Sequence, residues 1–210
     1  MQPDQLISAL ASRRLVAIVR GRDPEAALDT VLTLVRSGID LVEVSLSGTD
    51  ALRVIAGARA VLGPDAPLGA GTVLTAEDAR RAAEAGAAYA VTPAVTEAVA
   101  ASRALGLPVL AGALTPTEVV AALREGATAV KLFPAGHGGV ELLKALRSPF
   151  PDVPFVPVGG VDAEAARAHL AAGALAVGVG GPLVGRAADG DPAGLAERIT
   201  AFRALTGEAS

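Results

Sequence analysis

Eight successive segments of the chain share one pattern, in which a short apolar run precedes a stretch with helix start and stop signals. Helix starts such as Asp23-Pro24 and Thr115-Pro116 combine an N-cap residue with proline at the first helical position. The apolar runs, each predicted to be a strand, cover residues 15–20, 41–46, 68–74, 88–95, 108–114, 129–136, 155–161 and 175–181. Helices are predicted behind them over residues 24–38, 50–61, 75–86, 96–106, 115–126, 139–147, 162–173 and 192–206. Alternating strands and helices predict an α/β protein with a parallel sheet.

The number of units indicates how that sheet is arranged. Eight similar strand–helix units, opened by a short helix over residues 3–11, fit a single (β/α)8 TIM barrel, which leaves no strand at an open edge. No segment is left over for a second domain, so residues 1–210 are predicted to form one barrel domain. A doubly wound open sheet is the alternative, because it also alternates strands and helices.

Composition narrows the function classes. The net charge is −4 and the pI is about 5.2, which argues against a nucleic-acid or anionic-membrane surface. The chain has no cysteine, so disulfides, thiolate chemistry and cysteine metal sites are excluded. Residues 1–11 lack a basic segment followed by a long apolar core, and no apolar run reaches about 18 residues. We therefore expect a cytoplasmic protein without nucleic-acid or membrane partners.

A lysine stands inside one of the predicted strands. The chain contains 16 arginines but only two lysines, Lys131 and Lys144, and Lys131 lies in the apolar run AVKLFPAG. Arginine stays protonated, whereas a desolvated lysine can lose its proton and become a nucleophilic amine. If both faces of the strand are covered, Lys131 is a candidate nucleophile. The alternative is a lysine on an edge strand that reaches solvent.

Strand parity predicts which polar side chains share the barrel mouth with Lys131. Because side chains alternate along a strand, Phe133 lies on the same face as Lys131, and Glu43 faces inward between two outward valines. The other inward-facing residues predicted near the strand ends are Arg20, Thr72, Thr92 and Pro93. A buried carboxylate is costly unless it is paired or functional. Glu43 is therefore either a proton-transfer group or a structural partner of Lys131 or Arg20.

Glycines follow the last two predicted strands. Gly159-Gly160 and Gly180-Gly181 could let backbone N–H groups approach a phosphate, because the loops after strands seven and eight often bind phosphate in barrels. The alternative is that they only form tight turns. His137 is expected to be a solvated loop residue, and His169 is expected on a helix surface. Without cysteine or a cluster of His or Asp, no metal site is predicted.

The ordered set of motifs resembles a known family. VEVSL with Glu43, GAGTVL with Thr72, VTPAVTE, VKLFPA with Lys131 and the pair FVPVGGV and GVGG are similar to the 2-keto-3-deoxy-6-phosphogluconate (KDPG) and 4-hydroxy-2-oxoglutarate (KHG) aldolases. The resemblance spans nearly the whole chain. It implies a cofactor-free class I aldolase that is a homotrimer of barrels and acts on small keto acids.

The resemblance also implies roles for the residues. Lys131 would form an imine with the keto acid, and Glu43 would act as general acid and base through a water molecule. The implied substrate-binding residues are Arg20 and Thr72 for the pyruvyl carboxylate region, Pro93 and Phe133 for the pocket wall, and Gly159, Gly160, Gly180 and Gly181 for the phosphate.

Two positions depart from the gluconate pattern. After VEVSL the gluconate branch usually carries arginine, whereas Ser47 stands here, as a small polar residue does in the galactonate branch. The family's phosphate-binding serine is replaced by Gly181. The leading hypothesis is cleavage of a phosphorylated sugar acid, KDPG, into pyruvate and glyceraldehyde 3-phosphate. The galactonate analogue and KHG are alternative substrates, and a barrel that binds a sugar phosphate without covalent chemistry is the remote alternative.

Overall fold

A computed structural model of the chain describes residues 1–206, which contain eight strands, ten α-helices and one 3₁₀ helix. The strands are β1 (Leu15–Val19), β2 (Val42–Ser45), β3 (Leu68–Gly71), β4 (Tyr89–Val91), β5 (Val109–Ala113), β6 (Ala129–Leu132), β7 (Phe155–Pro157) and β8 (Val177–Val179). The helices are α1 (Pro3–Arg13), α2 (Pro24–Arg36), α3 (Ala51–Leu62), α4 (Ala76–Glu84), α5 (Glu97–Ala104), α6 (Pro116–Arg124), α7 (Gly139–Arg147), α8 (Ala163–Ala171), α9 (Gly181–Val184) and α10 (Leu195–Thr206), with the 3₁₀ helix at Ala187–Asp189. No helix in this described part is long and apolar enough to cross a membrane.

The eight strands form one parallel sheet that closes into a barrel. Each strand pairs with the next in the chain, and β1 pairs with both β2 and β8. A single parallel bridge between Val158 and Gly178 joins the ends of β7 and β8. The (β/α)8 prediction is therefore confirmed, and the open doubly wound sheet is wrong. Residues 207–210 of the predicted domain lie outside the described range.

The barrel is filled at its N-terminal end and open at the other. Leu6 and Leu10 of α1 are fully buried against an inner layer that includes Tyr89 and Val156. Outward-facing residues such as Val44 pack instead against the surrounding helices. Because α1 plugs the lower end, space for a ligand remains at the C-terminal ends of the strands.

Two details of the sequence prediction are wrong. The strands are shorter than predicted, and Gly181 begins the short helix α9 instead of ending β8, because the backbone leaves the extended conformation at Gly180 (φ −101°, ψ −106°). His169 is only 2% exposed, because α8 turns its Ala166, His169 and Leu170 face toward the core. The helix starts themselves agree with the prediction, since Asp23 accepts from the N–H groups of the first turn of α2.

Arginines connect neighbouring helices in a repeated way. Arg59 of α3 donates to the carbonyl of Gly86, just beyond α4, and Arg147 of α7 donates to the carbonyl of Ala172, just beyond α8. Two further arginines pack against the glycines that follow a neighbouring helix, Arg103 of α5 against Gly126 beyond α6 and Arg203 of α10 against Gly38 beyond α2. We call α3–α4, α5–α6, α7–α8 and α10–α2 the arginine-packed pairs. Guanidinium groups near helix C-termini can donate hydrogen bonds to the last carbonyl groups of the helix. Their positive charge also interacts favourably with the negative end of the helix dipole.

Candidate active site

A cavity of about 920 Å³ opens at the C-terminal ends of the strands, where the sequence predicted the site. Its lining contains every residue predicted to be catalytic or substrate-binding: Arg20, Glu43, Thr72, Pro93, Lys131, Phe133, Gly159, Gly160, Gly180 and Gly181. These residues come from seven strands or the loops directly after them, so only barrel closure brings them together. Of the inward-facing predictions within residues 1–206, Thr92 alone is not in the lining. Its hydroxyl donates to the carbonyl of Ala94 (2.7 Å) and holds the loop.

Lys131 lies in the middle of this cavity, on β6. It is 5% exposed, and its Nζ lies 4.9 Å from the centroid of the Phe133 ring. Within the described residues it forms no ion pair. The edge-strand alternative is wrong, because β6 pairs with both β5 and β7. The amine is thus shielded from solvent, forms no ion pair within the described residues and lies beside an aromatic ring.

Glu43 occupies the corresponding position on β2 and is 2% exposed. Burial raises the pKa of its carboxyl, and the nearby charge of Lys131 offsets a smaller part of that rise. No ion-pair partner of Glu43 lies among residues 1–206, so the structural ion pair considered from the sequence is not formed. An unpaired buried carboxyl with a raised pKa is suited to proton transfer near neutral pH.

Gly71 leaves the space that the Glu43 side chain fills. It lies at the end of β3, and a β-carbon at this position would overlap Oε1 and Cδ of Glu43. The glycine in GAGTVL therefore has a steric reason, since the carboxyl passes directly over its backbone. The sequence motif contained this residue, but nothing in it indicated which side chain needed the space.

Three hydroxyl groups form a chain along one wall of the cavity. Ser45 Oγ lies 2.8 Å from Ser47 Oγ and 2.8 Å from Thr72 Oγ1. Thr72 has a φ of +59°, a left-handed conformation that is an outlier for a β-branched residue. Such conformations cost about 1–3 kcal/mol and occur often at functional sites. Sequence reasoning missed Ser45, although its parity with Glu43 places it on the inward face.

Groups that can bind anions stand around the mouth. Arg20 is exposed and forms no ion pair within residues 1–206. The backbone N–H groups of Gly159, Gly160, Gly180 and Gly181 donate to no protein acceptor in the described part of the chain. Gly159 and Gly160 have φ values of +89° and +74°, which other residues rarely adopt. Unused N–H groups on two adjacent loops are available to bind an anion.

Arg22 and Asp189 form a further part of the rim that the sequence did not indicate. The backbone N–H of Arg22 donates to Asp189 Oδ1 at 2.8 Å, which ties the loop after β1 to the 3₁₀ helix. No strand parity applies in a 3₁₀ helix, so Asp189 carried no signal in the sequence. No group of three or more His, Cys, Asp or Glu residues within 1–206 is placed to hold a metal ion.

Comparison with known proteins agrees with this geometry. Residues 6–195 match the family described as "Aldolase: KDPG and KHG aldolase". The chain is 36% identical over 173 residues to a probable 2-dehydro-3-deoxy-6-phosphogalactonate aldolase of Rhizobium meliloti (strain 1021), covering 81% of this chain and 82% of the relative. It is 33% identical over 172 residues to a 2-dehydro-3-deoxy-phosphogluconate aldolase of Haemophilus influenzae (strain ATCC 51907 / DSM 11121 / KW20 / Rd), covering 80% and 79%. A crystal structure of KDPG aldolase from Legionella pneumophila, with pyruvate captured at low pH as a covalent carbinolamine intermediate, superimposes with a TM-score of 0.82 at 27% identity, covering 98% and 97%.

Proposed function

The chain belongs to the KDPG and KHG aldolase family, and from this premise we propose that it is a class I aldolase that cleaves KDPG into pyruvate and glyceraldehyde 3-phosphate. The observation that carries the proposal is that the amine of Lys131 on β6 is buried and forms no ion pair within the described residues. It lines the same cavity as the buried carboxyl of Glu43. An amine attacks the ketone, and a carboxyl moves the protons that imine chemistry requires.

The proposed reaction begins at the lysine. The neutral Lys131 Nζ adds to the C2 ketone to give a carbinolamine, which loses water to form a protonated imine. The bond between C3 and C4 then breaks as the C4 hydroxyl loses its proton, which releases the aldehyde and leaves an enamine on Lys131. Protonation of the enamine at C3 and hydrolysis of the imine release pyruvate and restore the amine. The carbinolamine captured with pyruvate in the Legionella pneumophila relative supports the first step.

Glu43 is proposed to move the protons, through a water molecule. A carboxyl transfers protons best when its pKa lies near the working pH, and burial raises the pKa of Glu43 in that direction. The carboxyl can therefore accept the proton of the C4 hydroxyl and return one to the enamine.

The two ends of the substrate are proposed to bind at different parts of the mouth. Arg20 and Thr72 would hold the carboxylate beside the ketone, with Pro93 and Phe133 against the carbon chain. The unused N–H groups of the four glycines would hold the 6-phosphate. Support comes from the unpaired guanidinium and from the N–H groups that have no protein acceptor within the described residues.

The galactonate analogue is a second candidate substrate because of Ser47. This residue lines the cavity and bonds to Ser45, so a small hydroxyl occupies the place where the gluconate branch usually carries arginine. KHG remains a further alternative within the family.

We also expect the protein to be a homotrimer in the cytoplasm. Light scattering would test the oligomeric state, and cell fractionation would test the location.

Borohydride trapping tests the covalent mechanism. Reduction in the presence of pyruvate should add a pyruvyl adduct to Lys131, located by peptide mass mapping. Lys144, the exposed second lysine, is the internal control and should stay unmodified. Lys131→Arg should abolish both trapping and turnover, because arginine keeps the charge but cannot lose its proton. A barrel that only binds sugar phosphates would show no adduct on Lys131. A separate assay of pyruvate release from a panel of keto acids would rank the substrates.

A further inference from the structure

We infer that Ser45 is a positioning residue that fixes the strained backbone of Thr72 and aims the Thr72 hydroxyl at the carboxylate of the bound keto acid. This inference rests on the proposed function for the identity of the ligand, and on the hydroxyl chain itself for the geometry.

Ser45 is placed to control Thr72. It is the last residue of β2, is 3% exposed, and pairs in register with Gly71 of β3, the residue directly before Thr72. Its Oγ lies 2.8 Å from Thr72 Oγ1. Among residues 1–206, Ser45 is the only side chain that forms a hydrogen bond with Thr72. The contact therefore joins the strained residue to the strand that carries Glu43.

The conformation of Thr72 needs such a contact. Its φ of +59° is rare for a β-branched residue, and strained conformations persist only where their surroundings hold them. Backbone hydrogen bonds hold the residues on either side, from the N–H of Leu46 to the carbonyl of Gly71 and from the N–H of Val73 to the carbonyl of Val91. The Ser45 contact is the one that holds the side chain of Thr72 itself.

The direction of the hydroxyl chain follows from the charge of the ligand. Each hydroxyl has one proton, and a carboxylate can only accept a hydrogen bond. Thr72 bound to a carboxylate must therefore donate to it and accept from Ser45, which in turn accepts from the exposed Ser47. Hydrogen bonds that run in one direction polarise each other, so Ser45 strengthens the Thr72 contact in addition to aiming it.

Loss of Ser45 should thus affect binding of the keto acid more than the chemical step. Ser45→Ala should raise the pyruvate concentration for half-maximal borohydride trapping by up to about tenfold, which corresponds to one strong hydrogen bond between neutral groups. The trapping rate at saturating pyruvate should stay within about twofold, since Lys131 and Glu43 are untouched. Ser45→Thr, which keeps the hydroxyl, should restore the wild-type half-saturation.

Ser102→Ala is the matched control. Ser102 is also a fully buried serine, on α5 and away from the cavity, and its hydroxyl has no partner within the described chain. Its loss should leave trapping unchanged. A Ser45→Ala protein with wild-type half-saturation would overturn the inference, as would a Ser45→Thr protein as weak as the alanine variant.

A second measurement separates this inference from the proposed function. Wild-type protein that fails to trap pyruvate would refute the imine mechanism, whereas the coupling of Ser45 to Thr72 is measurable without any ligand. In urea unfolding, Ser45→Ala should lower the midpoint in the wild type and should have little effect in a Thr72→Gly background, where no strained residue needs holding. An equal loss in both backgrounds would show that Ser45 does not restrain Thr72.

Discussion

Gly71→Ala is expected to displace the carboxyl of Glu43 and so stop its proton transfer, although Glu43 itself is not substituted. The new methyl group would overlap Oε1 and Cδ of Glu43 and would lie 2.5 Å from Cγ, although real β-carbon contacts essentially never come within 3.0 Å. Gly71 is not one of the residues with positive φ, so alanine fits its backbone and the effect comes from the side chain alone.

The size of the effect follows from the displacement. The carboxyl must move by roughly 1 Å, and a misplacement of about 1 Å costs about 10²-fold in rate. The upper limit is the loss from Glu43→Gln, about 10²–10⁴-fold for a general acid and base. We expect kcat to fall by about 10²-fold or more, and the free energy of unfolding to fall by about 1–3 kcal/mol from overpacking.

The assay is pyruvate release from KDPG at saturating substrate, with borohydride trapping measured alongside. Trapping of pyruvate at Lys131 should persist, because the amine stays in place. Gly57→Ala is the control: this glycine lies on α3, and its added methyl would meet only the flexible end of Leu28. That variant should keep wild-type kinetics.

A folded Gly71→Ala enzyme with wild-type kcat would refute the reasoning, since Glu43 could then not be acting from the position it occupies. The double variant Gly71→Ala/Glu43→Gln gives a second test. If both changes remove the same group, the double variant should be no slower than Glu43→Gln alone, whereas multiplied losses would show that Gly71 acts through something else.

Three further predictions concern the phosphate site, pH and the barrel interior. Gly181→Ser should raise the preference for phosphorylated over unphosphorylated substrate about tenfold in kcat/KM, mainly through KM. A β-carbon at this position meets nothing within 4 Å, so the serine side chain fits and its hydroxyl adds one contact to the phosphate. An unchanged ratio would mean that the phosphate binds elsewhere. Burial lowers the pKa of His169, so the unfolded chain binds its proton first and stability should fall as the pH drops below about 6.5. His169→Leu should flatten that dependence in thermal melts, and a parallel curve would exclude His169 as its source. Tyr89→Phe should raise the free energy of unfolding by about 1 kcal/mol, because the buried Tyr89 hydroxyl has no partner in residues 1–206; a loss of stability in urea titrations would contradict this.

Much of the fold and the site was predictable because both depend on strand periodicity. Alternation alone assigned Glu43 and Lys131 to the inner face, and eight units implied closure, which brings distant strand ends to one mouth. For His169 the sequence also contains a signal of burial, because Ala166, His169 and Leu170 have the spacing of a buried helical stripe.

Other features depend on the alignment between strands, which one sequence does not show. The contact of Ser45 with Thr72 requires the register of β2 against β3, and the overlap at Gly71 requires the path of a side chain from the adjacent strand. The end of a strand is equally hidden, because apolar residues continue after the last ladder bond. For this reason the sequence predicts Gly181 in a strand, although this residue begins a helix.

The arginine-packed pairs include helices that otherwise pack loosely, since α3 contacts α4 far less than α2 contacts α3 or α4 contacts α5. Amide exchange reports the cooperative units of a native protein, which often coincide with well-packed supersecondary motifs. We therefore expect α2 with α3, and α4 with α5, to exchange as units, with arginines joining one unit to the next. The α10–α2 pair connects residues from opposite ends of the sequence, since Arg203 packs on Gly38. Fraying of α10 should thus reach the unit that contains α2, beside the strand whose end carries Arg20 at the cavity mouth.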